Sequence, residues 1–204
     1  LKCPYCHSRD LVYLKENMYP IVTEKINEYL ESHRKDLDGI YISGGEPLMH
    51  EGVVSFLQYA KTLNYKIKIH TNGMFYERLK TILAQKLVDH VSLDIKNAPS
   101  AYAKTCGVED MDLKDIEKSL DLLKQSVVPY DICVTLVDEL HNQATIEELG
   151  EWIQGVDTVI LQPFEDRETT IDHSLHRPSF KVVLKYKKIF EKYVKHVKIR
   201  GDQA

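Results

Sequence analysis

Residues 39–47 read GIYISGGEP, a short apolar run that closes on two glycines, a carboxylate and a proline. Ile40, Tyr41 and Ile42 favour extended backbone, and glycine with proline punctuates its end, so a strand finishes here. It is followed at 51–64 by EGVVSFLQYAKTLN, whose apolar residues recur with helical spacing. The alternation then repeats. Strands are expected in YKIKIHTNG (65–73), VDHVSLDIK (88–96), YDICVTLV (130–137), DTVILQPF (157–164) and VKHVKIRG (194–201). Helices are expected in YERLKTILAQKL (76–87), in DLKDIEKSLDLLKQS (112–126), from Thr145, where TIEE has the form of a capping box, and from about Ser179 to Tyr193. A first helix is expected upstream, in YPIVTEKINEYLESHRKDL (19–37).

Strand-helix repeats of this kind demand parallel pairing through right-handed crossovers, which leaves an open doubly wound sheet or a barrel of βα units. Either is an α/β fold whose ligands bind at the carboxyl ends of the strands. Six strands are visible, with room for one more before Cys3. The 204 residues read as one domain spanning 1–204. The chain opens on Leu1 with no strand before the first cysteines, so it is expected to begin partway into a longer protein, with the N-terminal strand missing.

Composition narrows the function. With 43% hydrophobic and 28% charged residues the chain has an ordinary globular balance, and no apolar run approaches the ~20 residues of a membrane helix. No membrane span is expected. A net charge of −4 supplies no field for nucleic acid. The lysines of 181–201 alternate with apolar residues at helical spacing and read as a solvated helix face. Four scattered cysteines and no secretory leader make the cytoplasm the expected compartment.

The strand ends carry the chemistry. After Ser43 come Gly44, Gly45 and Glu46: adjacent glycines let a ligand approach the backbone, and a carboxylate beside them can bind an amine or a cation. Taken alone, the same residues also suit a plain strand-to-helix turn. The next strand ends in His70, Thr71, Asn72 and Gly73, and the one after in Asp94, Ile95 and Lys96. Asp94 and Lys96 are two apart, so they share a face. In isolation they read as a surface ion pair. Gln162 and Glu165 flank the end of the VILQPF strand.

Cys3 and Cys6, in LKCPYCHS, admit three readings: a redox dithiol, half of a zinc site, or two thiolates of an iron-sulfur cluster. A glutaredoxin-like dithiol gives the polar strand ends no role. A zinc site needs a second ligand pair, and His7, Cys106 and Cys133 show no spaced pair. Cys106 and Cys133 are both read as structural.

The residues at this point resemble the radical S-adenosylmethionine enzymes, whose signature is Cys-x3-Cys-x-aromatic-Cys. Cys3 and Cys6 match its second and third cysteines and Tyr5 its aromatic, which puts the first cysteine two residues before Leu1. ISGGEP is similar to the family's Gly-Gly-Glu-Pro motif. CPYCHS, LDGIYISGGEP, IHTNG, VDHVSLDIKNAPSAYAKTCG and VILQPF together resemble the activating proteins of anaerobic ribonucleoside-triphosphate reductase, which are glycyl-radical-enzyme activases. The resemblance implies a partial (βα)6 TIM-like barrel with one 4Fe-4S cluster that reductively cleaves S-adenosylmethionine. The resulting 5′-deoxyadenosyl radical abstracts hydrogen from a glycine of a partner enzyme, with flavodoxin or ferredoxin as reductant. It implies Cys3 and Cys6 as catalytic cluster ligands and Tyr5 near the adenine. Gly44, Gly45 and Glu46 then hold the methionine amine, while Asn72, Asp94 and Lys96 contact the rest of the cofactor. His70 stands where related activases often carry Asp, so no cation site is carried over. Two alternatives stay open: a small-molecule enzyme of the 7-carboxy-7-deazaguanine synthase type, and a non-catalytic barrel used as a binding module.

Overall fold

The computed structural model describes residues 1–13 and 19–201. Six parallel strands form one sheet in the order β1 (Gly39–Ile42), β2 (Lys66–Thr71), β3 (His90–Asp94), β4 (Tyr130–Leu136), β5 (Thr158–Pro163) and β6 (His196–Ile199). Every neighbour in space is the neighbour in sequence. A doubly wound sheet reverses its strand order at a switch point; this one never does, so right-handed crossovers place the connecting helices on one face. Among the described residues β1 pairs only with β2 and β6 only with β5, so the sheet curls without closing. The fold is the α/β partial barrel that the strand pattern and the resemblance call for.

The alternation within each strand sorts its two faces. In β2, Ile67, Ile69 and Thr71 are buried, whereas Lys66, Lys68 and His70 point the other way. Crossovers run through α3 (Val53–Thr62), α4 (Tyr76–Ala84), α6 (Lys114–Lys124), α7 (Gln143–Trp152) and α8 (Phe180–Phe190). These helices present Leu57, Leu79, Ile82, Ile116, Leu120, Leu149, Val183 and Phe190 to the sheet, all essentially inaccessible to water. Each such side chain contributes roughly 1.5–3 kcal/mol of burial.

Three local features depart from the sequence reading. The helix expected from Thr145 starts at Gln143, with Asn142 as its cap. Asn142 Oδ1 accepts from Thr145 N at 3.1 Å, and Thr145 Oγ1 accepts from Asn142 N at 3.1 Å. A capping box is present, but Thr145 is its third helical residue, because the Asn carboxamide reaches the free amide first. The upstream helix, α2 (Thr23–Ser32), is shorter than 19–37 at both ends. Two short helices, α1 (Arg9–Val12) and α5 (Pro99–Thr105), were not anticipated: four and seven residues are too few for periodicity to show.

The face opposite the helices is polar and internally satisfied. Asp131 on β4, 4% exposed, accepts from Ser92 Oγ at 2.6 Å, faces His90 Nε2 at 2.6 Å and lies 3.2 Å from Lys68 Nζ. One carboxylate therefore ties β2, β3 and β4 together. Burial opposes its ionisation, but these donors outweigh burial and hold its pKa below the ordinary carboxylate value. Asp131→Ala leaves Ser92, itself fully buried, without its acceptor, and is expected to cost about 1–3 kcal/mol. A lowered folded pKa means the contribution is fully present above pH ~4 and fades as acid carries the pH down through the folded value. Denaturant unfolding of wild type and Asp131→Asn across pH checks this: the gap between them should narrow below pH ~4.

Candidate functional site

The loop carrying Cys3 and Cys6 is closed by a Cys6 N–H bond to Cys3 O at 2.9 Å. It is clamped from two sides. Lys2 N donates to Cys106 O at 3.2 Å, while Ile171 and Asp172 donate their amides to Cys6 O at 3.0 Å and Pro4 O at 2.9 Å. The second clamp belongs to the long loop 164–178 after β5. The first depends on Gly107, at φ +69°, where an added Cβ would lie 2.5 Å from Lys2 O. Within the loop, Cys6 Sγ accepts from Ser8 N at 3.4 Å. Cys3 and Tyr5 are buried, and the Tyr5 hydroxyl is enclosed with no hydrogen-bond partner among the described residues. The Cys106 thiol beside Cys3, helped by the Lys96 ammonium, outweighs burial and draws the Cys3 thiol down to about 6.

Glu46 follows β1 and caps the 3₁₀ turn Pro47–Met49. Its Oε1 accepts from Leu48 N at 3.0 Å and Thr71 Oγ1 at 2.7 Å, and its Oε2 accepts from Asn72 N at 2.7 Å. A carboxylate has about four acceptor positions, so the fold occupies three and leaves one. Burial raises its pKa, partly offset by the bonds from Asn72, Thr71 and Leu48. Gly44, at φ +123°, makes the turn into Glu46 in a conformation that other residues rarely adopt, and a Cβ on Gly45 would meet nothing within 4 Å. Open space therefore lies beside Gly45, the residue before Glu46.

Asp94 and Lys96 do share a face, but they are partly buried rather than a surface pair: Lys96 Nζ lies 2.8 Å from Asp94 Oδ2. The other oxygen, Oδ1, is 2.7 Å from His70 Nε2, and His70 Nδ1 is 2.6 Å from the Tyr41 hydroxyl. Burial works against both charges. Lys96 and His70 nevertheless hold the Asp94 carboxyl well below its usual range, and Asp94, Tyr5 and Cys3 keep the Lys96 ammonium well above its own. Behind Lys96 stands His141, 3% exposed, with Nε2 donating to Lys96 O at 3.1 Å and Nδ1 accepting from Val137 N at 3.1 Å. Burial lowers its pKa, so it is a neutral prop.

Cys3, Tyr5, Glu46, Asp94 and Lys96 thus converge at one end of the sheet: the Lys96 charge acts on Cys3, Tyr5 and Glu46 as well as on Asp94. Asn72 joins the group through its main chain. Its Oδ1 turns back to accept from Met74 N at 3.0 Å, and its backbone amide is what reaches Glu46. Gln162 points toward β6, where Oε1 accepts from Arg200 Nη1 at 2.6 Å, and Glu165 pairs with Arg167 at 3.3 Å. Cys133 is buried, and burial pushes its thiol up to about 12. His70, Asp94 and Cys133 offer ligand atoms within 4.8 Å of one another, but the Lys96 and Arg200 cations border that cluster. The sequence reading missed Ile171, Asp172 and His141: the first two act through backbone amides, and the third has no motif around it.

The family model described as the Radical SAM superfamily matches residues 1–153, three quarters of the chain. The chain belongs to the radical SAM superfamily. A relative from Methanocaldococcus jannaschii, named "Putative glycyl-radical enzyme activating enzyme", is 30% identical over 98% of this chain and 84% of its own length. Among solved structures, a domain of pyruvate-formate lyase-activating enzyme from Bacteroides vulgatus has a TM-score of 0.63 at 19% identity, covering 80% of this chain and 99% of that one. Streptococcus suis SuiB bound to S-adenosylmethionine has a TM-score of 0.75 at 14% identity, over all of this chain and 48% of that one. At those identities the two structures speak to the fold.

Radical SAM membership implies a 4Fe-4S cluster and S-adenosylmethionine. The donor set fits them: two soft thiolates at cluster spacing, an amide already aimed at the Cys6 sulfur, an enclosed unpaired tyrosine hydroxyl and a buried carboxylate with an acceptor to spare. Because Gly107 alone lets the first clamp close, Gly107→Ala is expected to cost at least about 1–2 kcal/mol, the usual penalty of a left-handed backbone for a residue with Cβ. The freed loop should expose Cys3. Alkylation of the metal-free protein, mapped by mass spectrometry, should show faster modification of Cys3 in the variant.

Proposed function

We propose that this radical SAM protein is a glycyl-radical-enzyme activase, with anaerobic ribonucleotide reductase as the partner it acts on. The observation that carries the reading is the convergence of the Cys3–Cys6 loop with one buried carboxylate, Glu46, and one partly buried ammonium, Lys96, at the carboxyl ends of neighbouring strands. When bound, the 4Fe-4S cluster supplies the electron that cleaves S-adenosylmethionine. Everything else is positioning by this chain. Cys3 and Cys6 hold the cluster. Glu46 offers its fourth acceptor position to the methionine ammonium, in the space that Gly44 and Gly45 leave free, and Lys96 meets the carboxylate with the donors that Asp94 does not use. Tyr5 borders the adenine, and the Asn72 carboxamide nitrogen is left free for the remainder of the cofactor.

A protein substrate is supported by the M. jannaschii relative and by the unclosed sheet, since a glycine-bearing loop needs lateral access that a closed barrel denies. Flavodoxin or ferredoxin is the expected reductant. The test uses full-length protein reconstituted with iron and sulfide and reduced by dithionite. It should convert S-adenosylmethionine to methionine and 5′-deoxyadenosine, and should raise a glycyl-radical EPR signal on added reductase. No cleavage under these conditions would sink the radical chemistry; cleavage without a protein radical would sink the partner. Glu46→Gln keeps an acceptor for Leu48 and Thr71 but removes the charge. Losing a charge-assisted bond of about 1.5–3 kcal/mol should raise KM for S-adenosylmethionine roughly 10- to 100-fold.

A further inference from the structure

Arg200 follows β6 and is exposed, yet its guanidinium turns inward across β5 to reach β4. Nη1 donates to Gln162 Oε1 at 2.6 Å, and Nη2 lies 3.9 Å from Cys133 Sγ. The main chain beneath it is fixed by the Arg200 N–H bond to Leu161 O at 2.8 Å. The Cys133 sulfur in turn lies within 4.8 Å of ligand atoms of His70 and Asp94. The guanidinium is therefore held over the helix-free face, next to the cofactor residues, and among the described residues it makes no ion pair. Neither Arg200 nor Gln162 has a part in the cofactor contacts above. Both lie beyond residue 153, where the match to the superfamily model ends.

What such a group can bind follows from its neighbours. A guanidinium is all donor, a planar fork of N–H groups, and Gln162 occupies one side of it. The free donors require an oxygen acceptor. A carboxylate is disfavoured here: Cys133 Sγ is 3.4 Å from Asp131 Oδ1 and close to Asp94, so an incoming anion would meet two carboxylates that already have their own cations. A neutral carbonyl meets no such repulsion. On the activase reading the target is a glycine, which has no side chain to grip, so its Cα can be located only through the main-chain groups that flank it.

We propose that Arg200 is a substrate-binding residue that donates to a main-chain carbonyl beside the target glycine, with Gln162 as the positioning residue that aims it. The inference rests on the proposed function. Its place agrees with the approach of a protein loop, since β6 is an edge of the unclosed sheet and Arg200 stands at the carboxyl end of that edge. Gln162 fixes the guanidinium before a substrate arrives, which cuts the rotamer freedom lost on binding.

The experiment measures binding of a fluorescent peptide, copied from the glycine-bearing loop of anaerobic ribonucleotide reductase, to the reconstituted full-length protein with S-adenosylmethionine present. S-adenosylmethionine affinity is measured separately. Thioamide versions of the peptide weaken one carbonyl acceptor at a time. Arg200→Ala is expected to weaken peptide binding roughly 10- to 100-fold, the worth of a charge-assisted hydrogen bond, and to leave S-adenosylmethionine affinity unchanged. One thioamide beside the glycine should weaken binding to wild type and have no effect on Arg200→Ala. Gln162→Ala should weaken binding to a lesser degree, and add nothing once Arg200 is removed. Equal peptide binding by wild type and Arg200→Ala overturns the proposal. So does a fall in S-adenosylmethionine affinity, which would make Arg200 a cofactor contact, and so does a thioamide series that leaves wild type unaffected, which would assign Arg200 to a charged group. A wild type that binds no peptide fails at the proposed function and takes this inference with it, so the two failures are told apart.

Discussion

The site end of this protein is organised by the ion pair between Lys96 and Asp94. Burial opposes both charges, so neither is stable in this place without the other. Once formed, the pair projects one ammonium toward the N-terminal loop and the Glu46 carboxylate, and its field reaches Cys3 and Tyr5. The remaining contacts keep that ammonium where it is. His70 takes the second oxygen of Asp94, His141 holds the Lys96 carbonyl, and Asn97, fully buried, bonds Thr105 Oγ1 at 2.9 Å and Leu140 O at 2.8 Å directly after it.

This arrangement needs a particular sheet. In sequential parallel order each strand delivers its last residues to the same end, and neighbouring strands bring Glu46 and Thr71, then His70 and Asp94, within bonding distance. The Asp131 network does the same work one layer deeper, joining three strands through a single carboxylate. Two polar layers thus line the face that the helices leave bare, and only the outer one has spare valences.

Much of this was legible in the residues. The strand-helix alternation stated the architecture, because period two and period 3.6 exchange cleanly from residue 39 onward. Glu46, Asp94 and Lys96 were visible because charged groups at successive strand ends have few structural reasons to recur. What stayed hidden acts through the main chain or over long separations. The amides of Ile171 and Asp172 bind the cysteine loop from more than 160 residues away, and any residue type but proline supplies an amide. Cys106 looks like ordinary core until its carbonyl, beside Gly107, takes the Lys2 amide of the cysteine loop. Asn72 was visible as a strand-end residue, but only the structure shows that its Asx turn takes the side-chain oxygen and that its amide reaches Glu46.

The three internal bonds to Glu46 carry a thermodynamic consequence. Stripping water from a carboxylate is costly, and a site that did so only as its ligand arrived would weaken its own affinity. Here three of the four acceptor positions are taken from water as soon as β1 and β2 pair, so most of the dehydration is borne by folding. A cation that reaches the last acceptor position meets a carboxylate already largely stripped of water and held in place by three donors, and it has little left to reorganise.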